Sequence, residues 1–226
     1  MVEITQELIQ KGARNRPGYP MKPAYLTIHN TGNSSKGANA AGHVEYIKST
    51  AAGSTGWHYT VDDKQIIQHL PITENAWHAG DGTNGPGNRT SVGIEICENA
   101  DGDLAKAEAN AQDLVCKLLI ENGIPLENVV PHKNWTGKDC PHLILPHWDQ
   151  FIAGVKTRLD AEMARQAAEQ AKIEAQKLYD KIPEWARPTL IKLHQKGLIT
   201  DPLGDQSFYR IVVVLDRMGL FEKLSA

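Results

Sequence analysis

The stretch SVGIEIC, residues 91–97, is an apolar run of the kind that suits a central strand. The segments on either side of it decide the fold class. In LAKAEANAQDLVCKLLIEN (104–122) apolar side chains recur at Leu104, Ala107, Ala111, Leu114, Val115, Leu118 and Leu119. That is helical spacing, and Gly123 and Pro125 close it. A short strand, ENVVPH (127–132), comes next. Upstream, AYLTIHN (24–30) reads as a strand running into Asn-Thr-Gly, and a helical pattern covers residues 39–49. WHYTVDD (57–63) and QIIQHLP (65–71) carry a hairpin signal. Strands alternating with helices predict an α/β domain over residues 1–158, a central mixed sheet flanked by helices.

Beyond residue 158 the composition changes twice. LDAEMARQAAEQAKIEAQKL (159–178) lacks Gly and Pro, is rich in alanine, and sets Glu169 against Lys172 and Glu174 against Lys177. It predicts an Ala-rich linker helix of roughly 30 Å; a dimerising coiled coil is the weaker alternative, because its seam would be mostly alanine. Residues 179–226 carry Pro183 near a helix start, Gly197 as a stop, and a second helix in SFYRIVVVLDRMG (207–219). With Trp185, Phe208, Tyr209 and Phe221 they predict a small helical C-terminal module, which at this size relies on packing or self-association.

A net charge of −3 gives no reason to expect nucleic acid or a membrane surface as partner. No stretch of 18 apolar residues exists to cross a bilayer, and MVEITQELIQKGARN has charges throughout and no apolar h-region. Synthesis in the cytoplasm without a signal peptide is expected. Three cysteines are too few, and odd in number, for a disulfide framework. Cys97 and Cys116 lie in apolar patterns and read as small buried hydrophobes. Cys140, between Asp139 and Pro141 in a polar loop, has no packing reason to be there.

Its neighbourhood, VVPHKNWTGKDCPH (129–142), ends a strand at His132 and returns with Cys140 eight residues later. Imidazole and thiolate are ligands of choice for zinc, and a catalytic site uses three protein ligands. His29, also at a strand end, is the best third candidate, because two adjacent strands ending side by side would bring it to His132. By spacing alone His43, His58, His69, His78, His142 and His147 remain rival ligands.

LTIHNT (26–31), WHYTVDD (57–63), AWHAGDG (76–82), SVGIEIC (91–97) and PHKNWTGKDCPH (131–142) occur in this order. Together they resemble the zinc-dependent N-acetylmuramoyl-L-alanine amidases of the type-2 family, relatives of the peptidoglycan recognition proteins, and among them those of Bacillus phages and prophages. The resemblance covers residues 1–158. It implies one zinc ion held by His29, His132 and Cys140, with Glu95 as general base and Lys138 stabilising the oxyanion. Some relatives carry tyrosine where Trp57 stands, so the base is expected at Glu95. Trp57, His58, Trp77, His78 and Asn88 are candidate substrate-groove residues. GDGTNG (80–85) matches G-x-G-x-x-G, but neither a strand before it nor a helix after it is expected, so it reads as a surface loop beside the groove.

The implied reaction is hydrolysis of the amide between N-acetylmuramic acid and L-alanine, with peptidoglycan as the partner. The three-part chain suits a phage endolysin of a Gram-positive host: made in the cytoplasm, released through a holin, and targeted by a C-terminal wall-binding module. A monomer is expected, with a dimer through the linker or the C-terminal module as alternative. Three rivals are weaker. A non-catalytic recognition module would typically lack the cysteine, and a cytosolic muropeptide-recycling amidase, an alternative beside a host autolysin, would need neither the spacer nor the C-terminal module. A structural zinc domain would need a fourth ligand.

Overall fold

The computed structural model describes residues 3–222. The chain forms two compact units, Met1–Ala161 and Glu162–Ala226. The first contains strands β1 (Ile4–Gln6), β2 (Tyr25–Asn30), β3 (Tyr59–Val61), β4 (Ile66–Gln68), β5 (Ser91–Ile96) and β6 (Val129–Pro131). Its helices are α1 (Ala40–Lys48), α2 (Pro86–Thr90), α3 (Leu104–Asn122) and α4 (Lys133–Thr136), and it ends in the first turns of α5 (Trp148–Tyr179). The second unit takes the rest of α5, then α6 (Arg187–Gln195) and α7 (Gln206–Arg217).

The sheet order is β1-β4-β3-β5-β2-β6, with β3 and β4 antiparallel and every other pair parallel, a mixed sheet as expected. The hairpin β3–β4 turns on Asp62, whose Oδ1 accepts the backbone N–H groups of Lys64 (2.7 Å) and Gln65 (2.8 Å). β5 is central, between β3 and β2, yet its two faces differ. Val92, Ile94 and Ile96 join Leu26, Ile28, Val61 and Ile66 in the main core, against Ala111, Leu114, Leu118 and Leu119 of α3 and Phe151 and Val155 of α5. Each such aliphatic contributes about 1.5–3 kcal/mol on full burial, so this face dominates the unit's stability. The intervening residues Ser91, Gly93 and Glu95 point to the other face, as side chains alternate along a strand. On that side α1 packs Ala40 and Val44 on Ile67 and Cys97, and Ile47 on Trp57 and Leu70.

The chain crosses from β2 through α1 to β3 in one direction, and from β5 through α3 to β6 in the other. The carboxyl ends of β2 and β5 therefore meet at a topological switch point, where open parallel sheets form their ligand crevices. Caps fix both helices: the Asn39 side chain accepts from Gly42 N–H, the Asp103 side chain from Lys106 N–H, and Gly123, at φ +62°, ends α3.

Several expectations shift. The helix expected from residue 159 begins at Trp148, because Phe151 and Val155 belong to the core of the first unit. ENVVPH narrows to β6, its first residues forming a 3₁₀ turn, Leu126–Asn128. A five-residue helix, α2, does come after GDGTNG, although no strand precedes the loop. In the second unit α6 starts at Arg187 with Pro188 in its first turn, and Pro183 opens the turn that leads into it, its carbonyl accepting from Ala186 and Arg187 N–H. Tyr179, Ile182, Leu190, Leu193, Tyr209, Val212 and Val213 form that unit's core, with Phe208 and Phe221 packed against it. Trp185, expected to help build it, is 48% exposed. Among the described residues no helix is long and apolar enough to cross a membrane.

Candidate metal centre

Strand register builds the centre. His29 and Glu95 are paired neighbours at the ends of β2 and β5, and His132 comes directly after β6, which pairs with β2 as far as Ile28–Pro131. The loop after α4 folds back on itself, with Lys133 N–H donating to Cys140 O (2.9 Å), and returns the cysteine to the histidines. One ligand atom from each of His29, His132 and Cys140 lies within 4.8 Å of the others, and all three residues are buried. Two metal–ligand bonds of about 2.0–2.3 Å span at most about 4.6 Å, so a bound ion would draw the widest of these separations slightly closer. Cys140 Sγ is 3.8 Å from His29 Nδ1, and Glu95 Oε1 is also 3.8 Å from that nitrogen.

Hydrogen bonds around the histidines decide which nitrogens are bare. His132 Nε2 faces the Ala79 carbonyl at 2.9 Å, and a carbonyl only accepts, so Nε2 carries the hydrogen. His132 Nδ1 is buried without a partner. His78 Nε2 donates to the Ser91 carbonyl (3.1 Å), which leaves its Nδ1 to accept from His29 Nε2 at 3.0 Å. His29 is thereby left with a bare Nδ1. Burial holds all three rings neutral: His29 well below the ordinary histidine value, His78 down to about 3, and His132 lowered as well. Two bare Nδ1 atoms and a thiol converge, a donor set a zinc ion takes, and the Glu95 carboxyl lies beside them.

Glu95 Oε2 is buried and has no hydrogen-bond partner. Burial pushes the carboxyl up to about 8, with Lys138 opposing and Glu98 adding to the rise. Burial likewise pushes the Cys140 thiol up to about 11. Such perturbed groups in a cleft mark a functional site. They open into a cavity of about 720 Å³ that also takes in Lys138, Trp57 and His78. Lys138 is exposed at this cavity.

Of the expected groove residues, Trp57 and His78 line the cavity, whereas His58, Trp77 and Asn88 do not. His58 is wholly buried, held between Gly93 N–H, which donates to its Nδ1 (3.0 Å), and the Glu74 carbonyl, which its Nε2 reaches at 2.9 Å. Asn88 is buried and turned towards backbone. Trp77 packs beside Tyr19, ring centroids 6.2 Å apart. No motif marked His43 and Tyr46, yet both line the cavity from α1; their i,i+3 spacing on one helical face was the available signal. His69 donates or accepts at Thr60, and His147 pairs with Glu108, both away from the three ligands.

The family model described as N-acetylmuramoyl-L-alanine amidase matches residues 19–143. The chain is 58% identical over 157 residues to the N-acetylmuramoyl-L-alanine amidase CwlH of Bacillus subtilis (strain 168), covering 70% of this chain and 62% of that protein. It spans about half to two thirds of the length of the curated relatives it matches first. Among solved structures, the catalytic domain of XlyA aligns with TM-score 0.66 and 60% identity, over 68% of this chain and 99% of that one. A mutant endolysin from Bacillus subtilis aligns with TM-score 0.67 and 61% identity, over 69% and 99%. The matched region holds His29, Glu95, His132, Lys138 and Cys140, and with it the chain belongs to the type-2 N-acetylmuramoyl-L-alanine amidase family.

Proposed function

We propose that this chain is a zinc-dependent peptidoglycan hydrolase that cuts the amide between N-acetylmuramic acid and the L-alanine of the stem peptide, acting as an endolysin on a Gram-positive wall. One observation carries the reading: two bare histidine Nδ1 atoms and a cysteine converge beside a carboxyl group with one unpartnered buried oxygen in an open cavity. A bound zinc ion would supply a Lewis acid that polarises the scissile carbonyl and acidifies the attacking water. His29, His132 and Cys140 would hold it. Glu95, poorly solvated and with a free oxygen, accepts the proton of that water and delivers it to the departing nitrogen. Lys138 brings a positive charge to the oxyanion that develops on the carbonyl.

Residues 1–158 are proposed as the catalytic domain, supported by their likeness to the catalytic domain of XlyA, with 159–178 as helical linker and 179–226 as a wall-binding module. The endolysin role is supported by the similarity to a Bacillus subtilis endolysin, and it entails release from the host cytoplasm through a holin. Purified peptidoglycan, digested with and without a chelator and analysed by mass, tests the reaction. Intact stem peptides beginning with L-alanine, freed only without chelator, are expected; new reducing sugars in their place would overturn the assignment.

A further inference from the structure

One histidine ligand lies on β2 and the other just past the end of β6, yet the groups that orient them are consecutive residues. His78 Nδ1 accepts from His29 Nε2, and Ala79 O accepts from His132 Nε2. Both residues lie on an irregular segment, which by itself gives no reason for a fixed position. Asn88 provides it. Its Oδ1 accepts the backbone N–H of His78 (2.8 Å) and of Ala79 (2.8 Å), and its Nδ2 donates to Gly82 O (3.1 Å). Asn88 is itself anchored at its N–H by Asp81 Oδ1 (3.1 Å), while Asp81 Oδ2 takes Gly87 N–H at 2.7 Å. The side chain is 3% exposed and does not reach the cavity.

We infer that Asn88 is the positioning residue of the metal centre: one amide oxygen pins the two residues that fix the tautomers of both histidine ligands. The inference rests on the ligand set proposed above. It assigns to the segment 78–88 the task of keeping both Nδ1 lone pairs bare and aimed before any metal arrives. The close packing agrees with such a task. A Cβ on Gly87 would stand 2.7 Å from both Ala79 Cβ and the Trp135 ring, so glycine there lets α2 carry Asn88 up against Ala79.

The test reads imidazole nitrogens by NMR in the full chain labelled with ¹⁵N-histidine, the rings assigned through His29→Gln and His132→Gln. In the zinc-free wild type both rings are expected to carry their hydrogen on Nε2. Either ring protonated at Nδ1 overturns the inference without recourse to any variant at position 88. In zinc-free Asn88→Ala the two rings should mix tautomers, and the Kd for zinc should rise about 10–100-fold. A folded Asn88→Ala protein with both rings still Nε2–H and wild-type zinc affinity sinks it. Cys140→Ser keeps the two levels apart. If that variant binds zinc like wild type, the ligand set itself is wrong. If it loses zinc while Asn88→Ala binds normally, only the role of Asn88 falls.

Discussion

Cys140 is buried and Glu95 half-buried beside His29, but they face opposite tests. Glu95 is no ligand in the proposed set, so Glu95→Gln should keep a full equivalent of zinc while turnover drops by roughly 10²–10⁴-fold. Near-wild-type hydrolysis by the zinc-loaded variant would remove the base from the mechanism. Cys140→Ser should lose metal and activity together, as measured by metal content after dialysis. Protons compete with the metal for all three ligands, so zinc should be released on acidification, and a chelator should strip it faster at pH 5 than at pH 8. Lys138→Ala should retain zinc and show its loss mainly in kcat, because the positive charge at the cavity matters most when the oxyanion forms.

At the scale of elements, legibility tracked how far each signal depends on local sequence. The span of α3 was readable because its apolar spacing and its stop both lie within the segment. His29 and His132 were readable as strand-end residues, and register then brings β2 and β6 side by side. What escaped depends on tertiary contact. SVGIEIC looks apolar throughout, but Ser91, Gly93 and Glu95 form a face of their own, needed because His78 lies against it: a Cβ on Gly93 would come 2.7 Å from the His78 ring. Gly93→Ala should therefore displace His78 and weaken zinc binding while Glu95 stays in place, and zinc titration checks it. The start of α5 and the exposure of Trp185 were illegible for the same reason, since both are decided by which partner surface is present. A distant pair supports the histidine face as well. The nearly buried Arg16 donates to both Glu74 oxygens at 2.7 Å, and the Glu74 carbonyl holds His58. The guanidinium keeps the Glu74 carboxyl below its ordinary value. A lowered folded-state value stabilises the fold above the unfolded-state pKa, and that share is lost as pH falls through the folded value. Arg16→Met should cost about 1.5–3 kcal/mol at pH 7 and flatten the loss of stability on acidification, read by denaturant unfolding across pH.

For the whole molecule the question is what the second unit adds. Its core is complete in itself, from Tyr179 and Ile182 through Leu190 and Leu193 to Tyr209 and Val213, so it has the makings of an independent module. On α7 and at its C-cap it nevertheless leaves Ile211, Val214 and Met218 more than half exposed, at the i, i+3, i+7 spacing of one helical face. An exposed stripe of this kind suits contact with another surface. If that surface is the wall, truncation after Ala161, where the first unit ends, should leave zinc binding and cleavage of small soluble muropeptides intact. Retention on intact walls should fall, because a second tethered contact raises the effective concentration of the first. The charged variant Ile211→Glu with Val214→Glu should reproduce the truncation in wall sedimentation without touching soluble-substrate turnover. If instead the full chain runs as a dimer in equilibrium sedimentation, and the same two substitutions convert it to monomer while wall retention is unchanged, the second unit assembles the protein and the targeting role falls.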